Sequence, residues 1–283
     1  MIRKYFTFPG FKYKAVTLSY DDGVRQDKRL ISIMKQHGLK GTFNINGGLF
    51  SNELSDVEKG RMTPDEAYEL YTGSGMEVAI HGYKHIHLTH VDSAIATYEV
   101  INDRIELERM FDTVIKGMAY AFGNYNDSVV DILKTCGISY SRTTVSTEKF
   151  EIPGDWLRLP ATCHHNNPRL MQLAELFTEG VGQSDKWKKT PRLFYLWGHS
   201  YEFNDSDNWH IIEEFSEYMG GHDDIWYATN GEIYDYVSAF DSLEFSADTS
   251  LIRNPTSTDV YVTLYNRNYL IPKGTTVPIM FSK

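Results

Sequence analysis

The strongest constraint on the fold is a regular alternation of strand-like and helix-like segments over most of the chain. Ala15–Tyr20 reads as a buried strand that ends in Asp21-Asp22-Gly23. Leu30, Ile33, Met34 and His37 then keep an i, i+3, i+4, i+7 spacing, with Gly38 where a helix C-cap belongs. Thr42–Asn46 is the next strand. Thr63-Pro64-Asp65-Glu66 is a capping box with proline at the first helical position, and Glu77–Ile80 is a strand that delivers His81. Further on, helices are predicted over Asp92–Phe111 and Asp127–Cys136, with a strand near Lys116–Ala121 and an extended run over Ile138–Thr144. Trp156–Thr162, Arg192–Trp197 and Ile225–Tyr227 read as strands, and Pro168–Phe177, Trp209–Met219 and Glu232–Phe240 as helices. Seven or eight strand–helix units in this order predict an α/β fold with a parallel sheet. Their number favours a (β/α) barrel over an open sheet.

Beyond Leu243 the rhythm changes. Asn254-Pro255 and Lys273-Gly274 are turn signals between the alternating runs Val260–Leu264 and Thr276–Met280. The expected division is therefore a barrel over residues 1–242 and a small antiparallel β appendage over 243–283, with a structural or substrate-rim role. Ser51–Arg61 is polar and reads as a surface loop. A chain of 283 residues, 41% of them hydrophobic, can bury a full core. Its formal charge of −10 argues against nucleic acid or an anionic membrane as the main partner, since phosphate binding needs a basic face. Met1–Pro9 lacks the apolar stretch of a signal peptide and no window approaches membrane-span length, so a cytoplasmic location is the simplest expectation. Cys136 and Cys163 form no framework and read as reduced thiols. Oligomeric state is left open.

Acids and histidines fall where these strands end. Asp21 and Asp22 follow the first strand, and adjacent residues at a strand end point in different directions, so one carboxylate can bind a metal while the other reaches the water on it. His81 and His85 are four apart, which on one helical turn puts both on one face, as two ligands of one ion require. His87 and His90 are nearby competitors, ranked below His85. His199 follows Trp197-Gly198 on the same predicted rim. Cys163-His164-His165 alternate sides of a strand and so cannot all chelate one ion, although His164 or His165 could line the pocket.

Four stretches taken in order carry a family resemblance: Thr17-Leu-Ser-Tyr-Asp21-Asp22-Gly23, His81-Gly-Tyr-Lys-His85, Met118-Ala-Tyr-Ala-Phe122-Gly123 and Leu196-Trp-Gly-His199. Together they resemble the polysaccharide deacetylase (NodB-homology) family of carbohydrate esterases over residues 14 to 240 or so. The resemblance implies a distorted (β/α) barrel, usually of seven strands, and one divalent metal ion, commonly zinc. The implied activity is a hydrolase that removes acetyl groups from N- or O-acetylated sugars. Carried onto this sequence, it makes Asp21 the general base, Asp22, His81 and His85 the metal ligands, and His199 the general acid. The oxyanion donor would be the backbone N–H of Phe122.

The match departs from the family pattern at one motif. An arginine that holds the catalytic Asp is replaced here by Ala119, and Arg142 or Arg158 would have to substitute, with Arg142 preferred because its strand follows the altered motif. Asp155-Trp156 corresponds loosely to the family's Asp-Trp motif, with Asp155 orienting His199 and Trp156 walling the pocket. Tyr120, Trp156, Trp197, Tyr201, Trp209 and Trp226 offer aromatic faces for sugar rings. Two alternatives stay open: a hydrolase of small cyclic amides, imides or ureides, and an inactive carbohydrate-binding protein.

Overall fold

A computed structural model describes residues 5–57, 60–179 and 189–280. The strands are β1 Lys14–Asp22, β2 Gly41–Ile45, β3 Glu77–Ile80, β4 Gly117–Ala119, β5 Tyr140–Ser146, β6 Leu159–Ala161, β7 Cys163–His164, β8 Arg192–His199 and β9 Ile225–Tyr227. All lie parallel in one sheet of order β6-β5-β4-β3-β2-β1-β8-β7, with β9 also paired to β1. β6 pairs with β5, β7 pairs with β8, and only Thr162 separates them. One extended stretch thus hands over from one end of the sheet to the other and closes it into a distorted barrel. The handover counts as one stave, so the ring has the expected seven. β9 covers Lys14–Val16, the part of β1 that precedes its pairing with β2 at Leu18–Asp22.

The helices are α1 Asp27–Gln36, α2 Leu54–Val57, α3 Pro64–Tyr71, α4 Ser93–Phe111, α5 Asp127–Thr135, α6 Leu170–Glu179, α7 Tyr201–Asp205, α8 His210–Met219 and α9 Asn230–Asp241. Their starts follow local chemistry. Thr63 and Thr229 form capping boxes with Glu66 and Glu232, while Asp92 and Asn126 cap α4 and α5 through Ile95 N–H and Val129 N–H. The apolar faces of the helices meet the outer face of the sheet around Val16, Leu18, Tyr20, Phe43, Ile80 and Phe194.

Along β1 the alternation is strict. Val16, Leu18 and Tyr20 pack outward into that core, and Thr17, Ser19 and Asp21 point into the barrel, where they bond other polar groups. Thr17 Oγ1 donates to Asn230 Oδ1 (2.9 Å), Thr42 Oγ1 to Glu77 Oε2 (2.7 Å) and Tyr140 Oη to Glu77 Oε1 (2.6 Å). The barrel interior is therefore a hydrogen-bonded column, and buried polar groups of this kind must be satisfied inside it.

The tail forms a three-stranded antiparallel sheet from β10 Glu244–Phe245, β11 Leu251–Arg253 and β14 Thr276–Pro278, beside a hairpin of β12 Val260–Leu264 and β13 Arg267–Ile271. Phe6, Phe8, Tyr236, Phe240, Val260 and Val262 share one buried cluster, which ties the tail and the N-terminal segment to α9. No helix among the described residues is long and apolar enough to cross a membrane. Two expectations change. Trp156–Arg158 is a single 3-10 turn capped by Asp155, so extended structure begins only at Leu159. His81–His85 is a tight turn and not helical. Of the polar stretch 51–61, residues 58 and 59 lie outside the described part.

Candidate active site

The site is built where β1, β3, β5 and β8 end. β1 finishes in unusual backbone: Asp22 has φ +81° and Gly23 φ +63°. A Cβ on Gly23 would lie 2.8 Å from Ile45 Cγ2, so the position suits glycine alone. A non-glycine residue held at positive φ is uncommon and often marks a functional site. At Asp22 it breaks the strand alternation, and the side chain meets the histidines that follow β3.

Those histidines converge through a turn. Gly82 has φ +89° and His85 φ +53°, and His85 N–H donates to Gly82 O. Helix α4 holds the turn from outside: Asp103 accepts from His81 N–H (2.9 Å) and Gly47 N–H (2.6 Å), and Glu99 from Lys84 N–H (2.7 Å). The result is that Asp22 Oδ1 lies 3.5 Å from His81 Nε2 and 3.3 Å from His85 Nε2. One donor atom from each of the three lies within 4.8 Å of the others.

One carboxylate and two imidazoles at this spacing fit a zinc-type ion with coordination positions left open. The tautomers agree with that use. His81 Nδ1 sits 2.8 Å from the Ala119 carbonyl, which holds the proton on Nδ1 and leaves Nε2 free to bind. Burial pushes the pKa of His85 down to about 4, so His85 is neutral at neutral pH as a ligand must be.

Asp21 is 2% exposed and points inward. Its Oδ1 accepts from Asn44 Nδ2 (2.9 Å) and its Oδ2 from the Arg142 guanidinium. Arg142 is itself 1% exposed, stacked with its Cζ 4.4 Å from the centre of the Trp197 ring. Of the two candidate arginines, Arg142 is the one at Asp21. Arg158 pairs at the surface with Asp155 and Asp127. Burial alone would raise the pKa of Asp21, but the charges of Arg142, His81 and His199 and the Arg142 hydrogen bond together hold it below the ordinary carboxylate value. His81 Nε2 and His199 Nε2 lie 3.8 and 3.9 Å from Asp21 Oδ2.

His199 is oriented by a residue that the sequence reading passed over. Glu202, on α7, places Oε1 3.1 Å from His199 Nδ1, while its Oε2 lies 3.2 Å from His164 Nε2 and 2.9 Å from His165 Nε2. Burial would raise the pKa of Glu202, but hydrogen bonds from His164, His165 and His199 outweigh it and keep the carboxylate ionised. Burial would likewise lower the pKa of His199, yet the Glu202 hydrogen bond and the charges of Asp21 and Asp22 raise it above the ordinary value. His164, His165 and Glu202 also have the spacing of a metal group. However, His164 Nδ1 accepts the Asn166 N–H (3.2 Å), so the neutral ring carries its proton on Nε2, the nitrogen that faces Glu202 Oε2.

Asp155 and Trp156 lie elsewhere. Asp155 caps the 3-10 turn and pairs with Arg158 at 2.7 Å, and Trp156 packs edge-on against Tyr234 at 5.2 Å. Glu202 takes the position expected for Asp155, and Trp197, edge-on to His164 at 4.5 Å, is the tryptophan at the site. Phe122 has φ +58°, is 51% exposed and stacks on His87 at 3.8 Å, with His85 4.5 Å away. His87 faces Asn124 Nδ2 (2.7 Å), outside the Asp22 cluster. Tyr120 and Trp209 are buried, whereas Tyr201 lines the cleft.

A closed parallel barrel with acids and imidazoles gathered at the C-terminal ends of its strands belongs to the class of α/β barrels that carry their chemistry on that rim. Residues 10–141 match the family model described as polysaccharide deacetylase, so that part of the chain is similar to this family. No curated protein matches the chain. Among solved structures, a Mycobacterium smegmatis protein assigned as a polysaccharide deacetylase aligns over 84% of this chain and 94% of its own, with 16% identity and TM-score 0.61. A mutant of a Bacillus anthracis CE4 family pseudoenzyme, with restored enzymatic activity, aligns over 82% of this chain and 70% of its own, with 16% identity and TM-score 0.51. These identities establish the shared fold. A Streptococcus pyogenes deacetylase solved with acetate aligns over 50% of this chain at 21% identity and TM-score 0.45, and the chain spans only 61% of that protein.

Proposed function

We propose that the protein is a metal-dependent hydrolase that removes acetyl groups from N- or O-acetylated sugars. The observation that carries this reading is the convergence of Asp22, His81 and His85 beside a separate buried carboxylate, Asp21, that is tied down on both oxygens. A divalent ion, zinc by the donor set, would be held by Asp22, His81 and His85, where it would polarise the acyl carbonyl and acidify a water molecule. Asp21, ionised and fixed by Asn44 and Arg142, takes the proton from the attacking water. The Phe122 N–H, turned by its left-handed backbone, donates to the acyl oxygen as it gains negative charge. His199 holds a proton on Nδ1 against Glu202 and delivers one from Nε2 to the departing nitrogen or oxygen, without which that group leaves poorly.

The deciding experiment is acetate release from N-acetylglucosamine oligomers and O-acetylated sugars, run beside ring opening of small cyclic imides and ureides. Acetate release is the expected result. Ring opening alone would transfer the site to cyclic amides, and binding of sugar without turnover would make the protein an inactive carbohydrate binder. Glu202→Gln is expected to lower turnover at least about tenfold at unchanged metal content, because the neutral amide no longer supports a protonated His199. Wild-type turnover in that variant would remove Glu202 from the mechanism.

A further inference from the structure

Beside Asp22 and His85 a cleft of about 590 Å³ is walled by Gln26, Leu49, Tyr201 and Arg61. Arg61 closes the polar stretch that precedes α3. Its backbone is bridged to Val24, Arg25 N–H donates to Gly60 O, and Ser51 N–H to Met62 O. The segment carrying Arg61 is thus fastened to the barrel rim just past Asp22.

Two other cations near this rim are occupied. Arg25 pairs with Glu66 at 2.8 Å, and Lys84 Nζ donates to the Gly48 carbonyl. Arg61 differs, because among the described residues its guanidinium has no hydrogen-bond or ion-pair partner. Asp205, at the end of α7, lines the same cleft without pairing to it. A half-buried arginine that lines the cleft beside Asp22 and His85, with no partner for its guanidinium among the described residues, presents a planar fork suited to a carboxylate or a phosphate.

We propose that Arg61 binds an anionic group on the acylated substrate, so that the preferred substrate is an acetylated sugar carrying a carboxylate or a phosphate. The inference rests on the deacetylase reading above and deepens it to a substrate class. The surrounding charge sets its scale. On a chain of net charge −10, one local cation recognises a single anionic substituent and does not attract a polyanion.

The test compares kcat/KM for acetate release from three substrates: a neutral N-acetylhexosamine, the same sugar bearing an ether-linked carboxylate, and the same sugar bearing a phosphate. At least one charged substrate is expected to exceed the neutral one by about 10- to 100-fold, the range of a charge-assisted bidentate contact. The better of the two charged arms identifies the anion. Arg61→Met should reduce that advantage to within about threefold, and Arg61→Lys should keep part of it, since an ammonium retains the charge but not the fork. A wild-type enzyme that treats all three alike would overturn the inference and leave the deacetylase reading standing. So would an anion preference that survives Arg61→Met. Should none of the three release acetate, the deacetylase reading fails separately. Calorimetric binding of the deacetylated charged sugars to wild type and Arg61→Met then decides the role of Arg61, with equal affinities counting against it.

Discussion

Asp21→Asn is expected to keep its metal and lose turnover by about 10²- to 10⁴-fold, the range that a positioned general base supplies. The substitution preserves shape. Asn44 Nδ2 and the Arg142 guanidinium both point at this side chain, and an amide oxygen can still accept from one of them. What it cannot do is accept a proton from water. Metal content of the purified variant by elemental analysis, with acetate release in parallel, checks both halves. Persistent turnover would remove Asp21 as the base, and loss of metal would make it a ligand.

Arg142→Met is expected to be the most destabilising single change at the site. Arg142 and Asp21 are 1% and 2% exposed, and deleting one partner strands a buried charge at a cost of about 3–5 kcal/mol. The sign of the pH dependence follows from the lowered pKa of Asp21. A carboxyl group whose pKa is lower in the fold than in the open chain contributes its stability above the ordinary value of 3.8, and loses that contribution as pH falls through the folded-state value. Without Arg142, burial pushes the Asp21 pKa upward, and protonation at acid pH relieves the stranded charge. Urea unfolding should therefore show a large gap between wild type and Arg142→Met at neutral pH that narrows in acid. A gap that is small at neutral pH, or that widens in acid, would contradict the pairing.

Much of the fold was legible because strand and helix periods are local. Ala15–Tyr20, Glu77–Ile80 and Arg192–Trp197 are runs of β-branched, aliphatic and aromatic residues, and each ends in an acid or a histidine on one rim. The closure was not legible. It depends on Thr162 changing partners between β5 and β8, and both halves of that stretch read as ordinary extended chain. The meeting of His81 with His85 was inferred for a helical turn, whereas the convergence comes from positive φ at Gly82 and His85, held by Asp103 and Glu99 from a distant helix. Glu202 was missed although it stands three residues after His199, the spacing at which side chains meet on a helix. Asp155 drew attention through its tryptophan neighbour, but Arg158 three residues on captures it. Arg142 could be named in advance because β5 follows β4 in the sheet, so a side chain entering the barrel from β5 stands beside the position where Ala119 leaves room.

The central claim is that Asp22, His81 and His85 hold one divalent ion on which activity depends. Its most direct test is metal stoichiometry measured with acetate release on the same preparations of wild type, Asp22→Ala and His85→Ala. One ion per wild-type chain is expected. Both variants should lose metal and activity together, and a chelator should abolish wild-type turnover until zinc is restored. Full metal content in either variant, or wild-type turnover that survives metal removal, would contradict it.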